Sequence, residues 1–235
     1  MGLEHFDERP YVQKIENIGP ISVWLFDGVW ARKYLHREIT NFAEGRNPMF
    51  RSFIPRDEFW IERGTDPSEW PYFIDRMMEE WWMLAKGFSF KRAEEAGQRI
   101  EVSERGRAGE RVTKRELLEG KAEISKLGKS PDLEIYLVDG KIVRGYPPAA
   151  RFCHGGHDLV YGYVPDRHAW VDGTAPKADW SKIACHEVGE RNDMNMGQEY
   201  APAHKKRSRI EYQSRWDPQE TVRQMKELGV EWYAD

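Results

Sequence analysis

The chain has 235 residues, 40% of them hydrophobic and ten of them Trp, which is enough apolar material for a core and too much for a disordered segment. Lys and Arg number 36 against 40 Asp and Glu, a net charge of −4, so composition supplies no pull toward nucleic acid or an anionic membrane. No apolar run approaches the roughly 18–20 residues of a membrane span. The first residues carry no signal-peptide core, and Cys153 and Cys185 alone make no disulfide scaffold. The expectation is a soluble cytoplasmic protein with one or two small domains.

The chain resembles itself. Residues 23–34 (VWLFDGVWARKY) fall on 135–146 (IYLVDGKIVRGY) with five identities, among them Asp27/Asp139, Gly28/Gly140 and Arg32/Arg144. After a two-residue adjustment, Phe42 meets Phe152 and Gly45 meets Gly155. Residues 53–101 then meet 163–211 without a gap and with nine identities, including Trp60/Trp170, Trp70/Trp180, Glu80/Glu190 and Glu101/Glu211.

Taken in chain order, each copy begins with a strand ending in Asp-Gly, a hairpin-turn signal that predicts a second, antiparallel strand. A strand bearing the matched Trp follows at 53–62 and 163–172. In the first copy Asp66-Pro67-Ser68-Glu69 opens a helix running to about Lys86, and Gly87 suits its left-handed end. A second helix covers about 89–105. The second copy repeats this at about 176–196 and 202–215. The strongly charged stretch between them predicts a linker with one exposed helix at 114–126, and Asp217-Pro218 opens a final helix. The expected organisation is a first repeat at 20–105, a charged linker at 106–131, a second repeat at 132–215 and a C-terminal helix at 216–235. The expected fold class is α+β: an internal duplication of a small antiparallel sheet plus two helices, arranged about a pseudo-twofold axis.

The copies control for one another. Five of the seven histidines lie in the second: His154, His157, His168, His186 and His204. Their counterparts are Glu44, Asn47, Glu58, Arg76 and Glu94, so the fold itself does not call for His there. On the first long helix Trp70, Phe73, Ile74, Met77, Met78, Trp81 and Leu84 form one apolar stripe. In the second copy Glu187 stands where Met77 does and Arg191 where Trp81 does. Charges on a core-facing stripe have to be paired, coordinated or placed in a cleft, and their i,i+4 spacing allows them to pair with each other.

His186-Glu187-Val188-Gly189-Glu190 offers two metal ligands, His186 and Glu190, one helical turn apart, as the H-E-x-x-H helix does with two histidines. The next helix places His204 and Glu211 on one face, and the Gly155-Gly156-His157 turn can bring His157 toward both. The candidate metal ligands are therefore His186, Glu190, His204, His157 and Glu211, with zinc the first expectation and manganese or iron also suited. Glu187 is the candidate general base, and Arg191 the candidate group that holds a substrate anion or orients Glu187. Plain structural readings stand beside these. Glu190 and Glu211 have counterparts in the copy without histidines, Glu187 and Arg191 can be a buried ion pair, and the Trp-rich first copy can be core.

The stretch 152–211 resembles a loosely defined set of small, largely uncharacterised phage and prokaryotic proteins. The shared pattern is Gly155-Gly156-His157, Pro165 before Trp170-Val171-Asp172, His186-Glu187-x-x-Glu190-Arg191, Gly197, Tyr200, Ala203-His204 and Glu211. The resemblance implies a site in the second copy and brings no reaction with it. The leading expectation is a metal-dependent hydrolase acting on a small-molecule or peptide substrate. Two alternatives stay open. One is a non-catalytic binding or assembly protein, with a structural metal or none, that meets a partner chain or a second copy of itself through the Trp-rich repeat. The other is a His/carboxylate iron or manganese redox protein.

Overall fold

The computed structural model describes residues 10–35, 45–48 and 53–234. Phe42 and Glu44, aligned above with Phe152 and His154, lie outside them. Strand β1 (Tyr11–Ile18) turns through Gly19-Pro20 into β2 (Ile21–Phe26), and the two pair antiparallel. Helix α1 (Gly28–Tyr34) leads to β3 (Gly45–Arg46) and β4 (Glu58–Glu62), followed by helices α2 (Trp70–Ala85) and α3 (Phe90–Arg107). A short helix α4 (Lys114–Leu118) enters the second half, which runs β5 (Glu123–Ser130), β6 (Leu133–Val138), α5 (Gly140–Arg144), β7 (Gly155–His157) and β8 (His168–Asp172). Helices α6 (Lys177–Asn195), α7 (Tyr200–Ser214) and α8 (Pro218–Glu227) and strand β9 (Glu231–Trp232) follow.

The fold is α+β, with two small sheets of order β1-β2-β4-β3 and β7-β8-β6-β5-β9. Both sheets are mixed, not antiparallel as the sequence led us to expect: β2 runs parallel to β4, and β6 to β8. The Asp-Gly pairs explain the difference. They are not hairpin turns. Asp27 accepts from the Trp30 backbone N–H at 3.1 Å and Asp139 from that of Lys141 at 2.9 Å, so each caps a short crossover helix. The glycines are there for close approach. A Cβ on Gly28 would fall 1.6 Å from a Glu62 carboxylate oxygen, and one on Gly140 2.3 Å from an Asp172 oxygen.

The helix expected at 114–126 stops at Leu118, and residues from Glu123 onward form β5. In each half a Gly turn joins the two long helices. Gly87 and Gly197 have φ of 83° and 93°, and the Gln198 N–H reaches back to the Asp193 carbonyl at 3.1 Å, closing the helix end. The stripe of α2 packs as expected, with Phe73, Ile74 and Met77 against Val23, Leu25, Phe59 and Ile61. In α6 the matching contact uses Ile183, Ala184 and Val188 against Ile135, Leu137, Ala169 and Val171. None of the described helices is long and apolar enough to cross a membrane.

The halves meet through buried ion pairs. Arg32, 1% exposed, bonds Glu62 at 2.8 Å within its own half and Asp179 at 3.1 Å across the interface. Arg144, also 1% exposed, bonds Asp172 at 2.8 Å within its half and Glu69 at 2.6 Å across. Arg105 adds a bond to Glu69, and Arg215 one to Asp179, each at 2.8 Å. A helix-start carboxylate of each half is thus clamped between arginines of both.

Candidate metal centre

Three elements build the site. Helix α6 carries His186, Glu187 and Glu190, all buried. Helix α7, antiparallel to α6 across the Gly197 turn, carries His204 and the buried Glu211. Strand β7 carries His157, fully buried, and Gly155. A Cβ on Gly155 would lie 2.9 Å from Glu187 Oε1, so the glycine leaves room for that carboxylate. Glu187, His186, Glu190, His204 and Glu211 line one cavity of about 280 Å³.

His186 Nε2, Glu190 Oε2 and His204 Nδ1 form a triangle with edges of 3.2, 3.2 and 2.7 Å. A tetrahedral metal with bonds of about 2.0–2.1 Å holds its ligand atoms about 3.3 Å apart. Two edges of the triangle come close to that spacing and the third is shorter, so the three atoms could share a metal as well as hydrogen bonds. Two of the five candidate ligands take other positions around it. The other nitrogen of His186, Nδ1, donates to Glu211 Oε2 at 2.8 Å, the carboxylate–histidine arrangement that fixes a ligand ring and turns Nε2 inward. His157 Nδ1 accepts from the Leu159 backbone N–H at 3.3 Å, so its proton sits on Nε2, which donates to Glu190 Oε1 at 3.0 Å. His157 thereby orients the carboxylate that faces the triangle. Glu187 shares a second close group with His157 and Glu190, but that proton on His157 Nε2 disfavours a second metal there.

The electrostatics follow from burial and partners. Burial alone would depress the His186 ring, but hydrogen bonds to Glu190 and Glu211 outweigh it and push the pKa up to about 10. Burial opposes ionisation of Glu211, yet Arg215 and His186 hold it down at about 2. Glu190 is likewise held below the carboxylate range, three imidazoles overriding its burial. Glu187 goes the other way: burial, together with the neighbouring Glu190 and Glu211, pushes it up to about 8. A carboxyl poised near neutrality and facing a cavity is suited to exchange protons.

Arg191 corrects an expectation. It does not pair with Glu187. It forks onto Asp158 at 2.6 and 2.9 Å, bracing the turn after His157, and it does not line the cavity. His154 is buried beside Arg32, 3.2 Å away, and burial with that guanidinium pushes its ring down to about 3. His168 bonds Glu123 and stacks on Tyr136. Asp193 is taken by Arg207 and Lys206. Cys185 faces the apolar core, where burial raises its thiol to about 12.

The aligned positions of the first half carry different chemistry. Asn47 donates to Glu80 at 3.0 Å where His157 meets Glu190, and Arg76 donates to Glu101 at 3.0 Å where His186 meets Glu211. A fixed guanidinium stands there in place of the imidazole that faces the triangle.

Sequence reasoning gave no site role to several other residues of the cavity wall, Tyr161, Tyr200, Arg46, Glu94 and Arg151. Tyr200 stacks on His204 with ring centres 5.3 Å apart, and its place in the pattern of the resemblance was its one signal in the sequence. Arg46 and Glu94 come from the other half, so no local spacing could reveal them. No protein-family model, curated protein or solved structure matches the chain.

Proposed function

We propose that the second half is a metal-dependent hydrolase centre, with His186, Glu190 and His204 as ligands and Glu187 as general base. The observation that carries this reading is the triangle of three ligand atoms, each within 3.2 Å of the next, on the wall of a cavity that also contains Glu187. Three protein ligands beside a cavity suit a catalytic zinc better than a closed structural one. The metal would supply Lewis acidity toward water and the substrate carbonyl. Glu187 takes the proton of the attacking water as its oxygen adds to an acyl carbon. It then returns that proton to the departing nitrogen or oxygen as the acyl bond breaks. His157 and Glu211 hold Glu190 and His186 in position. Elemental analysis of the purified protein tests the reading, with one zinc, manganese or iron per chain expected and its loss in His186→Ala. A chain that takes up none of these metals would overturn it.

We infer also that the chain is an internal duplication about a pseudo-twofold axis, the first half having kept the frame without the ligands. Support comes from the strand registers, Ser22 opposite Glu58 and Glu134 opposite His168, from the reciprocal Arg32–Asp179 and Arg144–Glu69 bonds, and from Gly64 meeting the equivalent Thr174. The partner-binding alternative draws on exposed Trp82, Phe88 and Phe90 in the first half.

A further inference from the structure

The cavity wall carries two unlike groups of side chains. One is the His and Glu cluster of the second half. The other is contributed by Arg46, from β3 of the first half, and by Arg151, from the loop before β7. Arg46 bonds the Gly45 carbonyl at 3.2 Å, and Arg151 is ion-paired with Glu94. Glu94 occupies in the first half the place that His204 has in the second. Arg46 and Glu94 of the first half and Arg151 of the second thus share one stretch of lining. Arg76, which donates to the same Gly45 carbonyl at 2.9 Å, is a third guanidinium nearby. Burial, with the charges of Arg76 and Arg46, holds the Arg151 pKa below the usual arginine range even though Glu80 and Glu94 pull it upward.

Resting on the hydrolase reading above, we propose that the substrate is a small acid, its carboxylate or phosphate against Arg46 and Arg151 and its scissile acyl bond at His186, Glu190 and His204. Arginine suits this role because its planar fork matches either anion with paired hydrogen bonds. A cavity of about 280 Å³ limits the occupant to a small molecule or the acidic end of a larger one. The first half, through Arg46, then helps to select the substrate that the second half cleaves.

Cobalt-loaded full-length protein tests this, because the visible absorption of Co²⁺ reports a group entering its coordination sphere. It is titrated with three hydroxamates sharing one metal-binding head: acetohydroxamate, succinate monohydroxamate and phosphonoacetohydroxamate. An acid tail that reaches the arginines should tighten binding about tenfold or more over acetohydroxamate. Which tail gains more separates a carboxylate substrate from a phosphate one. Arg46→Gln and Arg151→Gln should each remove most of that gain and leave acetohydroxamate binding unchanged. Should Arg151→Gln fail to fold, Arg46→Gln alone decides, since Arg46 is only half-buried. Equal affinity of the three probes in the parent protein would overturn the anion site while the metal centre stands. Absence of any cobalt spectrum would overturn the hydrolase reading and this inference with it.

Discussion

His186 Nδ1 donates to Glu211 Oε2 at 2.8 Å across the α6–α7 pair, and that bond decides which nitrogen of the ring faces the cavity. Glu211 is itself held ionised by Arg215. Glu211→Gln keeps a hydrogen-bond acceptor of the same size but takes away its charge. Zinc affinity, followed by calorimetry, should fall about 10–100-fold, the usual effect of losing such an orienting group. The variant should still fold, because the side-chain volume is retained. Unchanged affinity would show that Glu211 does not act on the metal.

Proton release gives a second check on the same ring. In the metal-free protein at pH 7, His186 with its pKa near 10 carries protons on both nitrogens. Its folded pKa is raised, so the imidazolium adds stability that is full below the ordinary value of about 6.5 and fades as pH rises through about 10. A metal at Nε2 has to displace that proton. Zinc binding in Hepes and in Tris, which differ in heat of ionisation, should reveal about one proton released, with affinity rising about tenfold per pH unit between pH 6 and 9. Binding without proton release would remove His186 Nε2 from the ligand set.

The buried network between the halves predicts a different failure. Arg144 is 1% exposed and clamps Asp172 within its half and Glu69 across the interface. Arg144→Met leaves Asp172 buried without its guanidinium, whereas Glu69 retains Arg105. Loss of one partner of such a pair costs about 3–5 kcal/mol, to be measured by urea unfolding. Asp172→Asn in the same background should recover part of the loss by removing the stranded charge.

The histidine contrast was legible because the aligned halves show what the frame needs without them. Roles inside the cluster were not, because they depend on which ring nitrogen meets which oxygen. Strands β1 and β5 escaped notice for a local reason. Each is broken by register shifts at equivalent places, between Tyr11/Gln13 and Lys14/Glu16 and between Glu123/Ser125 and Lys126/Gly128. Such bulges destroy the alternation that marks a strand, and Ile124, 61% exposed, reads as the wrong face. The partner of Arg191 was hidden because Asp158 lies on a loop 33 residues away. Arg46 and Arg151 were hidden because the cavity forms only when the halves meet.

Glu187 offers the sharpest separation of site from scaffold. Its counterpart Met77 is fully buried against Gly45, in the relation that Glu187 has to Gly155. Glu187→Met therefore places a side chain that the frame already accommodates where a buried carboxyl stood. Its Tm should equal or exceed that of the parent, since a buried polar group replaced by a well-packed apolar one is often neutral or favourable. Copying the first half further with Arg191→Trp should not be neutral, because it strands Asp158. Metal content of Glu187→Met should stay at the parental level, because the three ligand atoms belong to His186, Glu190 and His204. Cleavage of acid-tailed amides and esters should fall about 10²–10⁴-fold with the loss of the general base. Loss of metal together with activity would instead make Glu187 a ligand, and destabilisation by several kcal/mol, typical of a broken buried network, would make it part of the scaffold.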